Sequence, residues 1–296
     1  MTSTAYRLQT ERGASQRRRG SAEIRLRSGR VAALLLVVCS FAAGHAWAGD
    51  RGADGRFDKR TSSHFVLYQD VDIDQSAGFH GSRRFEQQVL ETLEEAYSAL
   101  DQQLGLRPRR PIKVVVYDPI VFDQRFAGLF RFPAAGFYGG TIHIRGDTTL
   151  HVPLVRTLHH ELVHAAFDAV APSLALPAWV NEGLAEWFEA RAVGKRLLTP
   201  SELAALSRAS ESGRLYSLAQ LSGPSFGRLG PREAGLAYLQ SYAFFEFLAR
   251  HHGERSLREL CDRYLRVGDL ARAFRRTYRT DLPALEERFA AELRGA

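Results

Sequence analysis

LHHELVHAAFDAVAPSLALPAWVNEGLAEWFE, residues 158–189, holds three histidines and five acidic residues within about nine turns of potential helix. Its first half contains the pattern H-E-x-x-H at residues 160–164. Positions i and i+4 of a helix share one face, so His160 and His164 can bind one ion, and imidazole nitrogen suits zinc. Glu161 lies beside this pair, where it can accept a proton from a water that the metal activates.

A catalytic zinc needs a third protein ligand, and the second half of the stretch offers two glutamates. A helix restarts at Ala178 and carries Glu182 and Glu186 one turn apart. If it packs against the first helix, Glu182 can reach the metal, and Glu186 can hydrogen-bond the free ring nitrogen of a ligand histidine. His159 is rotated about 100° from the ligand face. We expect it to be a core histidine or a support for a ligand histidine.

The charge of the chain is concentrated at its N-terminus. The 296 residues are 45% hydrophobic and 25% charged, a globular composition, with a formal charge of +7. Residues 1–48 carry eight arginines and two glutamates, so they contribute +6 and the remainder is +1. A nearly neutral body gives no electrostatic reason to expect nucleic-acid binding.

The N-terminal residues are typical of an export signal. A basic region ends at Arg30, an apolar run follows at 31–43, and an A-x-A site stands at 46–48. The apolar run is about 13 residues long, whereas a membrane span takes ~20. We therefore expect residues 1–48 to be a cleaved signal peptide and the mature protein, without a membrane span, to be periplasmic or secreted. The alternative is an uncleaved membrane anchor.

The rest of the chain predicts an α+β fold, with a small N-terminal mixed sheet followed by a mainly helical half that includes the H-E-x-x-H helix. A polar, glycine-rich linker is predicted at 49–60. The strand ending at Ile144 could pair with an extended peptide. Strands are predicted at 64–68, 112–117 and within 136–144, and helices at 82–104, 153–169, 178–190, 199–210 and 232–252, with two or three short helices after 254.

HELVH followed by WVNEGLAEWFE resembles the gluzincin metallopeptidases, specifically the peptidase MA-like domain. SSHFVLY resembles the opening strand of that domain, and AYLQSYAFFEFLARHHG resembles its later helix, so the resemblance covers roughly residues 61–290. Zinc aminopeptidases and thermolysin-type enzymes are more distant relatives. The loop between His164 and Glu182 is one residue shorter than in the aminopeptidases, and no G-x-M-E-N stretch is present.

The resemblance implies one zinc ion per chain, held by His160, His164 and Glu182, with Glu161 as general base. It also implies that Glu186 orients a zinc histidine and that a tyrosine or histidine on a later helix stabilises the oxyanion. Tyr238, near the start of AYLQSY in the comparable segment, is our candidate, while Tyr242 lies one turn further on. The implied organisation is a zincin-like catalytic region at 61–195 and a C-terminal helical region at 196–296 that completes the cleft.

Two other classes of protein are compatible with these residues. One is a catalytically silent, zincin-fold binding or assembly module in the periplasm, which would have no need of a base at Glu161. The other is a helical interaction protein in which the H-E-x-x-H pattern is accidental. The favoured interpretation is an exported zinc metallopeptidase that hydrolyses peptides or proteins.

Overall fold

The structure is a computed structural model that describes residues 56–70, 82–129, 135–147 and 149–295. The predicted signal peptide lies outside these residues. A mixed five-stranded sheet has the order β1-β2-β3-β5-β4. The central strands β2, β3 and β5 run parallel, and β1 and β4 pair antiparallel at the two edges. The strands are β1 (Phe57–Thr61), β2 (Phe65–Asp70), β3 (Ile112–Tyr117), β4 (Gly136–Tyr138) and β5 (Ile142–Arg145).

Alternating side chains of the sheet enter two separate cores. One face, which includes Leu67, Val114 and Ile142, belongs to the main core, where the helices pack. The opposite face presents Val115 and Tyr117 to a smaller core. Because successive side chains of a strand point to opposite faces, a strand such as IKVVVY that is buried on both sides is apolar at nearly every position.

The helices described in the structure form the larger part of the molecule, so the predicted α+β class is confirmed. Thr199 and Glu202 form a capping box at the start of one of them. None of the described helices is long and apolar enough to cross a membrane. The helices are α1 (Ser82–Leu104), α2 (Pro119–Arg125), α3 (Val152–Val170), α4 (Ala178–Ala192), α5 (Pro200–Glu211), α6 (Pro231–His252), α7 (Arg255–Val267), α8 (Leu270–Tyr278) and α9 (Leu282–Arg294).

Two predictions about the sheet are wrong in detail. Strand β1 occupies the end of the segment predicted as a linker at 49–60, because FDKRT lies at a sheet edge, where a strand can remain largely polar. Strand β5 ends near Ile144 as predicted but pairs on both sides, with β3 and with β4. The edge beside the helical half is therefore β4.

Helix α4 is buried on nearly all sides, between α3 and α6. Gly183 permits the close approach to α6, since a Cβ atom there would lie 2.6 Å from the Phe245 ring and 2.8 Å from the Ser241 carbonyl oxygen. Trp179, near the start of α4, packs against Phe244 and Phe245 of α6. These contacts fix the position of Glu182, in the second turn of α4.

Candidate metal centre

His160 and His164 lie one turn apart on the face of α3 that packs against α4. Both are buried, with 0% and 4% exposure, and their ring centroids are 4.9 Å apart. His164 of α3 contacts Asn181, near the start of α4, whereas Arg156, earlier in α3, contacts Glu189, later in α4. The two helices are therefore antiparallel.

Glu182 completes a three-residue cluster. Its Oε2 atom lies 3.4 Å from His160 Nε2 and 3.6 Å from His164 Nε2. These three buried atoms have no hydrogen-bond partner among the described residues. A tetrahedral zinc site with bonds of about 2.1 Å places its ligand atoms about 3.4 Å apart. The donor types, the missing partners and the spacing all fit a zinc ion, and the cluster could hold a metal.

The remaining ring nitrogens contact groups that orient the two histidines. His164 Nδ1 donates to Asn181 Oδ1 at 2.9 Å, which leaves Nε2 as the ligand atom. His160 Nδ1 lies 3.4 Å from Glu189 Oε2. Glu189 is fully buried and also accepts a hydrogen bond from Arg156 Nε at 3.0 Å. Arg156, Glu189 and His160 thus form a connected chain behind the ligand cluster.

Glu189, rather than Glu186 as the resemblance implies, brings a carboxylate oxygen within ion-pair distance of the free ring nitrogen of His160, at 3.4 Å. Glu186 is close, with a carboxylate oxygen within 4.8 Å of ligand atoms on His160 and Glu189. Its ion-pair partner, however, is Arg156, whose guanidinium lies 4.0 Å from the Glu186 carboxylate. Because Glu182 and Glu189 are seven residues apart, about two turns, they share a face of α4. Glu189 was missed because its role depends on how α3 and α4 cross.

Burial and mutual charge set the protonation of the cluster. Burial alone would lower the pKa of His160, but Glu182 and Glu189 outweigh it and raise that pKa well above its ordinary value. Burial and then the charge of His160 lower the pKa of His164 to about 3. Burial is also the largest cause acting on Glu161; opposed by His160 and assisted by Glu182, it raises the pKa of Glu161 to about 8.

Comparison with protein families adds an independent observation. The model of the peptidase MA superfamily matches residues 92–295. The chain belongs to the peptidase MA superfamily. The match spans α3 and α4, the two helices that carry the possible metal ligands, and continues to the end of α9. A search of curated proteins finds no match.

Membership in the peptidase MA superfamily accounts for the metallopeptidase-like arrangement of α3 and α4. The matched range includes His160, Glu161, His164 and Glu182. Both carboxylate oxygens of Glu161 are buried without a hydrogen-bond partner among the described residues. The backbone of Tyr138, on edge strand β4, favours the charged form of Glu161. The edge strand and the expected base thus lie next to each other.

His159 lies on a different face of α3 from His160 and His164. Its Nδ1 atom is 2.8 Å from the Val155 carbonyl oxygen, and its ring packs against Phe188. Burial lowers the pKa of His159, so its ring is neutral. His159 does not belong to either group of possible metal ligands in the described residues. It has the surroundings of a core histidine.

The two candidate tyrosines of α6 have different surroundings. Tyr238 is buried, and its ring packs edge-on against Phe226 at 5.1 Å. The hydroxyl of Tyr242 has no hydrogen-bond partner among the described residues, and Lys195 Nζ lies 4.5 Å from its ring centre. Burial, followed by the nearby carboxylates of Glu246 and Glu202, raises the pKa of Tyr242.

Proposed function

We propose that the protein is an exported, zinc-dependent metallopeptidase of the gluzincin type. The supporting observation is the convergence of three buried ligand atoms, on His160, His164 and Glu182, at 3.4 and 3.6 Å. Next to them is Glu161, a buried carboxyl without a partner among the described residues. This combination is what metal-assisted hydrolysis requires.

A zinc ion in this site would lower the pKa of a water molecule and polarise the carbonyl group of the bond to be cleaved. Glu161 would take a proton from the attacking water and pass it to the leaving amine. Burial favours the neutral form of this carboxyl, which suits a group that takes up a proton and later gives it back. Asn181 and Glu189 would hold the two histidine rings in the orientation that ligation needs.

The edge strand β4 is the proposed binding surface for the substrate backbone. Strand β5, expected from the sequence to pair with a peptide, has neighbours on both sides. Strand β4 pairs only with β5 among the described residues and lies beside Glu161 through Tyr138. An extended peptide added along β4 would pass next to the base.

A tyrosine of α6 is proposed to donate a hydrogen bond to the oxyanion that forms during hydrolysis. The resemblance to the aminopeptidases favours Tyr238, whereas the buried hydroxyl of Tyr242, which has no hydrogen-bond partner among the described residues, favours Tyr242. Single substitutions Tyr238→Phe and Tyr242→Phe separate the two. The variant that lacks the donor is expected to lose ~10²–10³ in turnover while it retains zinc.

The A-x-A site at 46–48 supports export to the periplasm or the exterior, with cleavage before Gly49. N-terminal sequencing of the mature protein should then begin at Gly49. Recovery of an intact N-terminus in a soluble cytoplasmic fraction would contradict export.

The proposed function is tested by zinc analysis combined with a peptide-library cleavage assay. We expect one zinc per chain and turnover of peptides. Zinc without turnover would identify a silent binding module. Absence of zinc from protein prepared with zinc would identify a helical interaction protein with an accidental motif. Either result would overturn the assignment.

A further inference from the structure

The outer face of α8 carries a line of exposed arginines, which we call the α8 arginine stripe: Arg272, Arg275, Arg276 and Arg279. Their spacing of i, i+3, i+4 and i+7 places them on one face, along about 10 Å of helix. The fourth member caps the C-terminal end of α8.

The inner face of α8 is fixed on the core, which keeps the stripe turned outward. Ala273, Phe274 and Tyr278 are buried. The ring of Phe274 lies 5.9 Å from that of Trp179 on α4, the helix that carries Glu182. The α8 arginine stripe therefore occupies a defined position on the surface of the folded body.

The neighbouring helix α7 shows how exposed arginines are paired elsewhere in the described structure. Arg255 and Arg263 lie 3.7 and 3.8 Å from the carboxylate of Glu259. Arg266 lies 2.8 Å from the carboxylate of Asp262. Each of these pairs is separated by one helical turn, so α7 neutralises much of its own charge.

Helix α8 contains no acidic residue, and its flanking carboxylates have other roles. Asp269 accepts from the backbone N–H of Arg272 as the N-cap of α8, and Asp281 accepts from Ala284 as the N-cap of α9. No arginine of the stripe forms an ion pair with a described carboxylate. Among the described residues, the stripe is thus a line of positive charge without a compensating carboxylate.

Arg279 supplies a second, independent observation. Its φ of 60° and ψ of 19° place it in the left-handed region, where it is the only non-glycine residue of the described structure with positive φ. Helix α7 ends in the same region with Gly268, at φ 69°. Glycine is the favoured residue at such a position, because a Cβ atom is disfavoured there. An arginine at this costly position points to a use for its side chain.

We propose that the α8 arginine stripe binds the phosphate groups of an anionic membrane surface. Guanidinium groups bind phosphate oxygens in bidentate geometry. The stripe lies on one convex helix face, which can contact a flat surface. A bound peptide would instead require a groove. The aromatic residues of α8, Phe274 and Tyr278, are buried and cannot stack on nucleic-acid bases. Each arginine near an anionic surface should strengthen binding roughly fivefold.

The test compares two triple variants of the full chain that remove the same charge. One is Arg272→Gln/Arg275→Gln/Arg276→Gln in α8, and the matched control is Arg255→Gln/Arg263→Gln/Arg266→Gln in α7. Binding is measured at low salt by co-sedimentation with vesicles of phosphatidylglycerol and phosphatidylcholine, and with vesicles of phosphatidylcholine alone. The α8 variant should lose about 100-fold in partitioning to the anionic vesicles and the α7 variant only a few-fold. Equal losses, or equal binding of the wild type to both kinds of vesicle, would overturn the proposal.

A single substitution separates binding from folding. Arg279→Gly removes one guanidinium and relieves the backbone at the same position, so it should raise the Tm while weakening vesicle binding roughly fivefold. Unchanged vesicle binding in this variant would exclude Arg279 from the surface. If the wild type binds duplex DNA or polyglutamate more tightly than the vesicles, the partner is a nucleic acid or an acidic peptide, and the membrane proposal is wrong.

Discussion

At the scale of single residues, the His160 ring is held between two carboxylates of one helix. Glu182 approaches Nε2 and Glu189 approaches Nδ1, each at 3.4 Å. Arg156, one turn before His160 on α3, binds Glu189 and so fixes the second carboxylate. Under the proposed function, Glu189 would be a positioning residue, which would act on the metal through His160.

Glu189→Gln is expected to weaken zinc binding by ~10–100-fold, because groups that orient ligand histidines have effects of this size. Glu186→Gln is the matched control in the same helix and should have a smaller effect. The dissociation constant is measured by competition with a chromophoric chelator. The visible spectrum of the cobalt-substituted protein reports a change in ligand field that a loss of stability alone would not produce. A larger loss in Glu186→Gln would restore the assignment based on the sequence.

The residues that could be predicted are those whose geometry is set within one helix. His160 and His164 follow from the i, i+4 spacing, and Glu161 from its place between them. The contact of Glu189 depends on the antiparallel crossing of two helices, which no local pattern encodes. The sequence signal that bears on Glu189 is Arg156, one turn before a predicted ligand histidine, which in the structure binds the buried Glu189.

At the scale of elements, the position of α4 depends on its contact with α6 at Gly183. The backbone of Ser241 and the ring of Phe245 fill the space that a side chain would need. A shift of α4 would move Glu182, in the preceding position, away from the histidines of α3. The same contact thus stabilises the fold and determines the geometry of the cluster formed by His160, His164 and Glu182.

Gly183→Ala should destabilise the protein by about 1–3 kcal/mol through overpacking and should also weaken zinc binding. Urea denaturation gives the free energy of unfolding, and the chelator competition gives the zinc affinity. A variant with wild-type stability and zinc affinity would show that α4 and α6 have room to adjust.

The helices were easier to predict than the ends of the sheet. Capping residues such as Thr199 and the apolar periodicity of α1 mark helix boundaries locally. Strand β1 is polar, because it lies at an edge, and so resembles a linker in sequence. The position of β4 at the other edge follows from the strand order, which the sequence of the hairpin does not specify.

At the scale of the whole molecule, one main core joins the two regions predicted at 61–195 and 196–296. Trp179 of α4 contacts Phe244 of α6 and Phe274 of α8, so the helix that carries Glu182 packs on the C-terminal helices. The metal would in turn link α3 to α4. Zinc binding should therefore stabilise the whole body rather than a local loop.

Removal of zinc with a chelator should lower the Tm of the wild type. A ligand present at 100–1,000 times its dissociation constant contributes about 3–4 kcal/mol of stability, and we expect a shift of about 5–15 °C. His160→Ala, which loses a zinc ligand, should show little or no shift with the chelator. Differential scanning calorimetry with and without the chelator measures both. An equal shift in the variant would place the stabilising metal elsewhere.

The most direct measurement of the central claim is single-turnover peptide cleavage by Glu161→Gln, with the zinc content determined on the same sample. The substitution keeps the size of the side chain and removes the base. We predict one zinc per chain, as in the wild type, and a cleavage rate lower by ~10²–10⁴. Full activity in the zinc-loaded variant would contradict the assignment of Glu161 as the base and, with it, the proposed mechanism.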